Sequence, residues 1–391
     1  MHLDLSALAE RLSRPGPKRA LALDGGGLRG IISLGYLEAI ESLLRQRTGR
    51  TALVLSDYFD LVGGTSTGAL IATLIALGRS IADIKQTYLE FAHRAFQLDA
   101  HGGLGPLGRL LGNRYMAGPL ESILRSTLGD MTLDSAQLRT GLVVVAKRAD
   151  TASVWPVTNI PTARYYDDWT AGSDIVQPGN RHIPLWKLLR ASTAAPTYFK
   201  SQAIVEAERG AVAEFIDGGI SAHNNPALLL LMVASLEGFG LRWPLGANNL
   251  LLCSIGTGQV DFTTTGRETA GFTALDWARV LVPQLVHDSM ELVEVLLQWM
   301  SASTTARRID GTLEKVTPCL TGAELLHYLR YNLPLTAKGL ADIELQYADT
   351  EISALREMSS TASLPQYQAI AARVGAQIDA SHFPEEFDVH V

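Results

Sequence analysis

Short apolar runs that end in glycine alternate with apolar residues at helical spacing over the first two thirds of the chain. Arg19–Leu23 predicts a strand that meets a glycine cluster at Asp24–Gly30. Ile31–Leu44 then carries apolar residues three and four positions apart, as a helix does. The order repeats with a strand predicted over Tyr58–Val62 and a helix over Ala69–Leu77, joined by a second glycine turn. This alternation predicts an α/β protein.

The rest of this part of the chain continues the pattern. Helices are predicted over Ile81–Phe96, Leu185–Ser192 and Pro226–Leu236, and strands over Leu142–Ala146, Ser153–Thr158, Val212–Ile216 and Leu250–Ile255. Strands that alternate with helices favour a parallel sheet with helices on both faces. We therefore expect a three-layer α/β/α core with a mainly parallel central sheet.

The pattern changes after about residue 260. Long helices are predicted over Leu275–Met300 and within Asp342–Ile378, and we expect no strand there. The predicted organisation is an N-terminal segment at 1–18, a catalytic core at 19–260 and a largely helical C-terminal extension at 261–391, packed on the core. Within the core, the glycine-dense segment Gln97–Gly118 is the best candidate for a mobile loop or lid.

Composition narrows the class of protein. The chain has 391 residues with 33 Lys and Arg against 40 Asp and Glu, a net charge of −7, which disfavours binding to a nucleic-acid polymer. No stretch reaches the roughly 20 apolar residues that span a bilayer. The N-terminus lacks the features of a signal peptide, and the two cysteines form no C-x-x-C motif. We expect a soluble cytoplasmic protein.

The sharpest chemical motif lies in the second glycine turn and has the form G-x-S-x-G. It consists of Gly64, Thr65, Ser66, Thr67 and Gly68. A strand-to-helix turn this tight strains the backbone of its central residue and lifts the hydroxyl above the sheet. The following helix directs free N–H groups at that hydroxyl, which favours an oxyanion there. The motif predicts a nucleophilic serine, with a phosphate-binding or purely structural turn as the alternative.

The first glycine turn, DGGGLRG at Asp24–Gly30, allows several interpretations. It satisfies the G-x-G-x-x-G pattern of dinucleotide-binding proteins, but it lacks the Gly-Lys-Ser/Thr of a P-loop. Consecutive glycines also suit an oxyanion hole, because they let backbone amides approach a substrate oxygen, with Arg29 as a nearby positive charge. A turn without any ligand is the plain alternative. Taken alone, the motif does not choose among them.

A third motif, Asp217-Gly218-Gly219, follows a predicted strand. A parallel sheet would bring its carboxylate to the same edge as Ser66, with the two strands side by side. An aspartate with an ordinary pKa of about 3.9 is a weak base for an alcohol, so a Ser66–Asp217 dyad needs burial to raise that pKa. The alternative is a carboxylate that caps the turn before Asn225-Pro226.

A conventional triad would require a histidine after the acid. His223, His287 and His327 all follow Asp217, but none lies in a glycine-flanked loop at a strand end. A dyad is therefore the preferred prediction. Replacing each histidine by alanine tests it, because a loss of esterase activity comparable to that of Ser66→Ala would reject the dyad.

In this order, DGGGLRG, GTSTG and DGG resemble the motifs of the patatin-like phospholipases, and Ala191–Phe199 resembles a further block of that family. The resemblance covers about Arg19–Gly258. It implies hydrolysis of glycerophospholipid esters through an acyl-enzyme, without a metal or cofactor. It also implies Ser66 as the nucleophile and Asp217 as its only partner. The implied oxyanion hole consists of the amides of Gly25, Gly26 and Gly27, helped by Arg29.

Other functions fit parts of the sequence. A general esterase or lysophospholipase of lipid turnover would use the same motifs. A dinucleotide-dependent oxidoreductase would use GGGLRG, but no acidic residue ends a second strand at the expected distance, and GTSTG and DGG would be unexplained. An interaction module with a vestigial site is the non-enzymatic alternative.

A phospholipid substrate would require transient contact with the inner face of the membrane. The net charge of −7 does not favour anionic lipids, so apolar contact matters more. Gln97–Gly118 and Leu292–Met300 are the candidate segments, although the second fits an ordinary core better.

The C-terminal 131 residues suggest an oligomer interface or a site that controls activity. Some bacterial proteins that resemble this chain are antiphage effectors, which a cyclic dinucleotide activates to degrade the cell's own membrane. Arg307, Arg308 and Tyr328–Tyr331 offer guanidinium and aromatic groups for phosphates and bases. Surface charge and ordinary packing explain each of these residues more simply.

Overall fold

A computed structural model describes residues 6–95, 115, 117–170, 176–205, 212–260, 262, 269–309, 312–313, 316 and 319–389. The helices are α1 (Ser6–Ser13), α2 (Gly30–Thr48), α3 (Leu55–Tyr58), α4 (Thr67–Ala76), α5 (Ile81–Ala95), α6 (Ala117–Leu128), α7 (Leu185–Ser192), α8 (Ala227–Ser235), α9 (Ala274–Met300), α10 (Ala337–Ala341), α11 (Asp349–Ala354) and α12 (Leu364–Val374). Most of the helices predicted from apolar spacing are present close to the expected bounds.

The strands are β1 (Lys18–Leu23), β2 (Leu61–Thr65), β3 (Gly141–Arg148), β4 (Val154–Thr158), β5 (Trp169–Thr170), β6 (Val176–Gln177), β7 (Gln202–Val205), β8 (Val212–Asp217), β9 (Leu250–Ile255) and β10 (His327–Tyr331). The main sheet has the order β10-β9-β1-β2-β3-β8-β7, with β4 also paired to β3, while β5 and β6 form a separate ribbon. The five strands from β10 to β3 are parallel. The pairings of β4, β8 and β7 are antiparallel, so the sheet is mixed.

Two apolar clusters cover the two faces of the sheet. In β1, Leu21 and Leu23 belong to the larger cluster with α2, α4, α5 and α12, whereas Ala20 and Ala22 belong to the smaller one with α1, α8 and the end of α9. Successive side chains of a strand point to opposite faces, so a strand that is buried on both faces packs against a helical layer on each side. The predicted three-layer α/β/α core is confirmed.

Three local predictions are wrong. The strand predicted over Tyr58–Val62 begins only at Leu61, because Leu55–Tyr58 forms a helical turn before it. The region after residue 260 was expected to hold no strand, yet β10 pairs in parallel with β9. The sheet therefore crosses the predicted boundary of the core. Pairing of β8 with β3 is antiparallel, not parallel.

The predicted lid, Gln97–Gly118, lies almost entirely outside the described residues. At its end, Ala117 and Gly118 belong to α6, and the preceding Tyr115 is buried. Among the described helices, none is both long and apolar enough to cross a membrane.

Candidate active site

The turn between β2 and α4 holds Ser66 in a backbone conformation that is rare for a residue with a side chain. Its φ is 55° and its ψ is −126°, which costs about 1–3 kcal/mol and is found mainly at functional sites. The flanking glycines are required by space. A Cβ on Gly64 would lie 2.2 Å from the carbonyl carbon of Gly68, and a Cβ on Gly68 would lie 2.4 Å from the carbonyl oxygen of Leu23. The G-x-S-x-G motif is thus a strained strand-to-helix turn.

The hydroxyl of Ser66 donates a hydrogen bond to Oδ2 of Asp217 over 2.7 Å. The other carboxylate oxygen, Oδ1, accepts from the amide of Gly219 at 2.7 Å. Both side chains are buried, Ser66 at 9% exposure and Asp217 at 5%. Burial raises the pKa of Asp217 to about 6, although the hydrogen bonds from Ser66 and Gly219 oppose the shift. The carboxyl group is therefore a stronger base than a solvated aspartate.

Asp217 reaches Ser66 by a route that differs from the expected one. The strand β8 runs antiparallel to β3 and pairs with only the last three residues of that strand, where Asp217 lies opposite Ala146. Thr65 of β2 pairs with Val145, so the ends of β2 and β8 lie at the same level on either side of β3. An antiparallel strand that approaches from beyond the sheet edge thus delivers its last residue to the carboxyl end of the parallel strands.

Ser192 bridges the gap between these two strand ends. Its hydroxyl donates to the carbonyl oxygen of Val145 at 2.6 Å and accepts from the amide of Ser66 at 2.9 Å. Two residues later, the carbonyl of Ala194 accepts from the amide of Asp217 at 3.0 Å. The stretch Ala191–Phe199 therefore fixes the backbone of both Ser66 and Asp217. Sequence reasoning gave Ser192 no role.

The glycine loop after β1 lies beside Ser66. A Cβ on Gly25 would lie 3.3 Å from the Cβ of Ser66. The amide of Gly25 donates to the carbonyl of Asn224 at 3.1 Å, so it is not free in the way we expected. By contrast, the amides of Gly26 and Gly27 make no hydrogen bond with any described residue. The left-handed φ of 56° at Gly27 and the carbonyl of Met358, 2.5 Å from where a Cβ would be, both require glycine there.

A buried ion pair holds the start of this loop. Arg330 of β10 donates from Nη2 to Oδ2 of Asp24 at 2.6 Å and from Nη1 to Oδ1 at 2.9 Å. Nη1 also donates to the hydroxyl of Ser254 at 2.8 Å. Burial alone would lower the pKa of Arg330, but the contact with Asp24 outweighs it and raises that pKa. The loop is thus fixed by a residue from the last third of the chain.

Arg29 is buried, and its Nε and Nη1 have no hydrogen-bond partner among the described residues. Burial lowers the pKa of its guanidinium, while the nearby Tyr367, Asp24 and Glu357 oppose the shift. The buried guanidinium of Arg29 therefore belongs to the glycine loop itself, and two of its nitrogen atoms donate to no described acceptor.

The three histidines occupy different places. The carbonyl of His223 accepts from the hydroxyl of Thr65 at 2.6 Å, and burial lowers the pKa of its ring, whose Nδ1 has no partner in the described structure. The ring of His287 lies tilted against that of Phe262, and Nε2 of His327 lies 3.2 Å from the carbonyl oxygen of His382. In the described part of the chain, no histidine hydrogen-bonds to Ser66 or Asp217.

The residues expected to hold a nucleotide do not form an accessible site. Tyr328, Leu329, Arg330 and Tyr331 are buried in β10, which is covered on both faces. Arg307 is paired with Glu291 and Glu294, both at 2.7 Å. Over the described ranges, no group of three or more His, Cys, Asp or Glu side chains could hold a metal ion.

The α/β fold thus brings together a strained serine, a buried carboxylate that accepts its hydrogen bond, and a glycine loop in which the amides of Gly26 and Gly27 have no described partner. Comparison with known families identifies the class of protein. The model of the patatin-like phospholipase family matches residues 21–231, and the chain belongs to that family.

Plant relatives are similar in sequence over about two thirds of the chain. Patatin-17 of Solanum cardiophyllum is 30% identical over 279 residues, which cover 67% of this chain and 66% of that protein. Patatin-15 of Solanum tuberosum is 28% identical over 275 residues, covering 66% of this chain and 65% of the relative. The chain thus matches just under two thirds of the length of these relatives.

A solved structure, human GIVD cytosolic phospholipase A2, aligns with 97% of this chain and 62% of its own length at 11% identity and a TM-score of 0.44.

Proposed function

We propose that the chain is a lipid acyl hydrolase of the phospholipase A type, which cleaves glycerophospholipid esters with Ser66 and Asp217 through an acyl-enzyme. The 2.7 Å hydrogen bond between the strained Ser66 and the buried Asp217 carries this proposal. Membership of the patatin-like phospholipase family supports an ester of a lipid as the substrate.

The geometry supports a two-step reaction. Asp217 Oδ2 accepts the proton of the Ser66 hydroxyl while Oγ attacks the ester carbonyl carbon. The negative oxygen that forms accepts hydrogen bonds from the amides of Gly26 and Gly27, which are free to donate. When the carbon–oxygen bond of the ester breaks, Asp217 returns the proton to the leaving alcohol. Water then attacks the acyl-serine, gives a proton to Asp217, and releases the fatty acid as that proton returns to Ser66.

The activity of this dyad should depend on the protonation of Asp217. Because its pKa is raised to about 6, we expect kcat/KM for a soluble ester to fall about tenfold per pH unit below pH 6 and to level off above it. Initial rates between pH 4.5 and 8.5 measure this profile. His223→Ala is the control: it should keep the same acid limb, and a limb that disappears in this variant would make histidine the base.

Contact with a membrane is part of the proposal. The N-terminal half of α9 exposes large apolar side chains, with Leu285 at 63% exposure. Leu275, Trp277, Leu281 and Val282 are exposed on the same half of the helix. Further along, Sδ of Met290 accepts a hydrogen bond from Nδ2 of Asn224, the residue whose carbonyl holds Gly25. The helix thus leads from the site to an apolar surface. Within the expected segment Leu292–Met300, Leu292 is exposed, whereas Val293 and Leu297 are buried.

Leu285→Glu should weaken sedimentation of the protein with phosphatidylcholine vesicles by about tenfold, since burial of one leucine contributes roughly 1.5–3 kcal/mol. Hydrolysis of a soluble ester should not change. Leu236→Glu is the control, because Leu236 is also an exposed leucine and lies just after the C-terminal end of α8. Equal vesicle binding by both variants would contradict contact through α9.

Activation by a cyclic dinucleotide, an antiphage role and assembly into homo-oligomers remain proposals based on the resemblance alone. Since Arg330 and its neighbours are buried, any nucleotide would have to bind other residues. Phospholipase assays with and without a panel of cyclic dinucleotides decide the question: equal rates throughout would favour a general esterase or lysophospholipase of lipid turnover. Vesicles are the substrate in both arms, so the comparison isolates the nucleotide.

A further inference from the structure

Two polar side chains donate hydrogen bonds to the carbonyl group of Gly25. Nδ2 of Asn224 and the hydroxyl of Thr257 each donate a hydrogen bond to that oxygen over 3.3 Å. We propose that Asn224 and Thr257 are positioning residues, which direct the amide of Gly26 toward the oxyanion formed on Ser66. This inference rests on the proposed hydrolase function and goes beyond it, because the dyad and the glycine loop do not by themselves explain either side chain.

The planarity of the peptide bond links the Gly25 carbonyl to the Gly26 amide. In a trans peptide, the C=O of one residue and the N–H of the next point in opposite directions. Two donors that hold the Gly25 oxygen therefore fix the direction of the Gly26 N–H, which points away from them. The backbone carbonyl of Asn224 adds a third restraint, since it accepts the amide of Gly25 at 3.1 Å. Rotation of the Gly25–Gly26 peptide would break the two side-chain bonds together.

Close packing restricts the loop further. A Cβ on Gly26 would lie 2.2 Å from the hydroxyl oxygen of Thr257, so Thr257 lies directly against the Gly26 backbone. Thr257 is itself buried, just after β9. Because Gly25 lies beside Ser66 on the other side, a small rotation of the peptide would move the Gly26 amide relative to the nucleophile.

The role differs from simple support of the fold in what it predicts for kinetics. A donor that is correctly directed acts mainly in the transition state, where the oxygen carries negative charge, and little in the ground state. Loss of the positioning contacts should therefore lower kcat and leave KM unchanged. It should also leave the apparent pKa of the pH profile unchanged, because Asp217 is not touched.

The experiment compares variants of Thr257 in the full chain. Thr257→Val keeps the shape and removes the donor, and we expect kcat for a p-nitrophenyl ester to fall on the order of tenfold, a fraction of the loss for a whole oxyanion donor. Thr257→Ser retains the hydroxyl and should rescue most of kcat. Thr73→Val removes another buried hydroxyl, which bonds only within α4, and controls for the substitution itself. Asn224→Ala should act in the same direction as Thr257→Val.

The outcomes separate this proposal from the one on which it rests. A loss in kcat alone for Thr257→Val, with rescue by Thr257→Ser and an unchanged acid limb, supports positioning. An active wild type with an unaffected Thr257→Val, or with equal losses in the Val and Ser variants, overturns positioning but leaves the hydrolase. A wild type that hydrolyses no ester and is not labelled at Ser66 overturns both.

Discussion

Replacing Ser66 by alanine is expected to lower ester hydrolysis by about 10⁵-fold or more, the size of effect seen when the nucleophile of a serine hydrolase is removed. The reason is that the hydroxyl forms the bond to the substrate, and among the described residues Ser66 has the only hydroxyl that donates to Asp217. A fluorophosphonate probe should label Ser66 in the wild type and leave the variant unlabelled. Ester hydrolysis and labelling are measured on the same protein preparation.

Ser56→Ala provides the matched control for this substitution. Ser56 is also buried, its hydroxyl has no described hydrogen-bond partner, and it lies in α3 before the start of β2, at the opposite edge of the sheet. The control should keep full activity and full labelling. Labelling of Ser66→Ala, or turnover within tenfold of the wild type, would mean that another residue is the nucleophile.

Arg330→Met is expected to lower the free energy of unfolding by about 3–5 kcal/mol, the cost of leaving one partner of a buried ion pair without its counter-charge. Asp24 would lose both hydrogen bonds from the guanidinium in a site that excludes water. Because Asp24 begins the glycine loop, activity should fall as well, even at temperatures where the variant is folded. Chemical denaturation followed by circular dichroism measures the change in stability.

Arg373→Ala is the control for this loss of a charge. Its ion pair with Glu344 is exposed, so removal should change stability by less than about 1 kcal/mol. The double variant Asp24→Asn/Arg330→Met should recover part of the stability, because the unpaired buried charge is then gone. Equal stability of Arg330→Met and Arg373→Ala would contradict the importance of the buried pair.

The local part of the site could be predicted from the sequence because glycine motifs report directly on backbone geometry. Spacing indicated Ser66 in a strand-to-helix turn, and the structure shows its φ of 55°. The sequence also predicted that Asp217 lies next to Ser66, although the strand that carries Asp217, β8, is antiparallel and not parallel as expected. The prediction required only that β8 end at the same edge of the sheet as β2. An antiparallel β8 that pairs with three residues of β3 also ends there.

Long-range partners could not be predicted in the same way. The strand β10 contains Arg330, a residue type that is rarely buried without a partner. In the core it is paired with Asp24, which follows β1, at 2.6 Å, and lies 3.9 Å from Glu294 of α9. Similarly, nothing in the local pattern of Asn224 or Thr257 indicates that both bond the carbonyl of Gly25. Such contacts depend on the tertiary fold.

The ion pair between Asp24 and Arg330 also has a consequence for biosynthesis. The two residues are 306 positions apart, so a nascent chain exposes the glycine loop long before β10 can reach the edge of the sheet. Until that strand is added, Asp24 lacks its ion pair with Arg330 and the loop lacks this support. Copies shortened by proteolysis or by premature termination before β10 would remain in this state. Under the proposed function, such incomplete copies would lack a fixed glycine loop and would therefore not hydrolyse lipid esters.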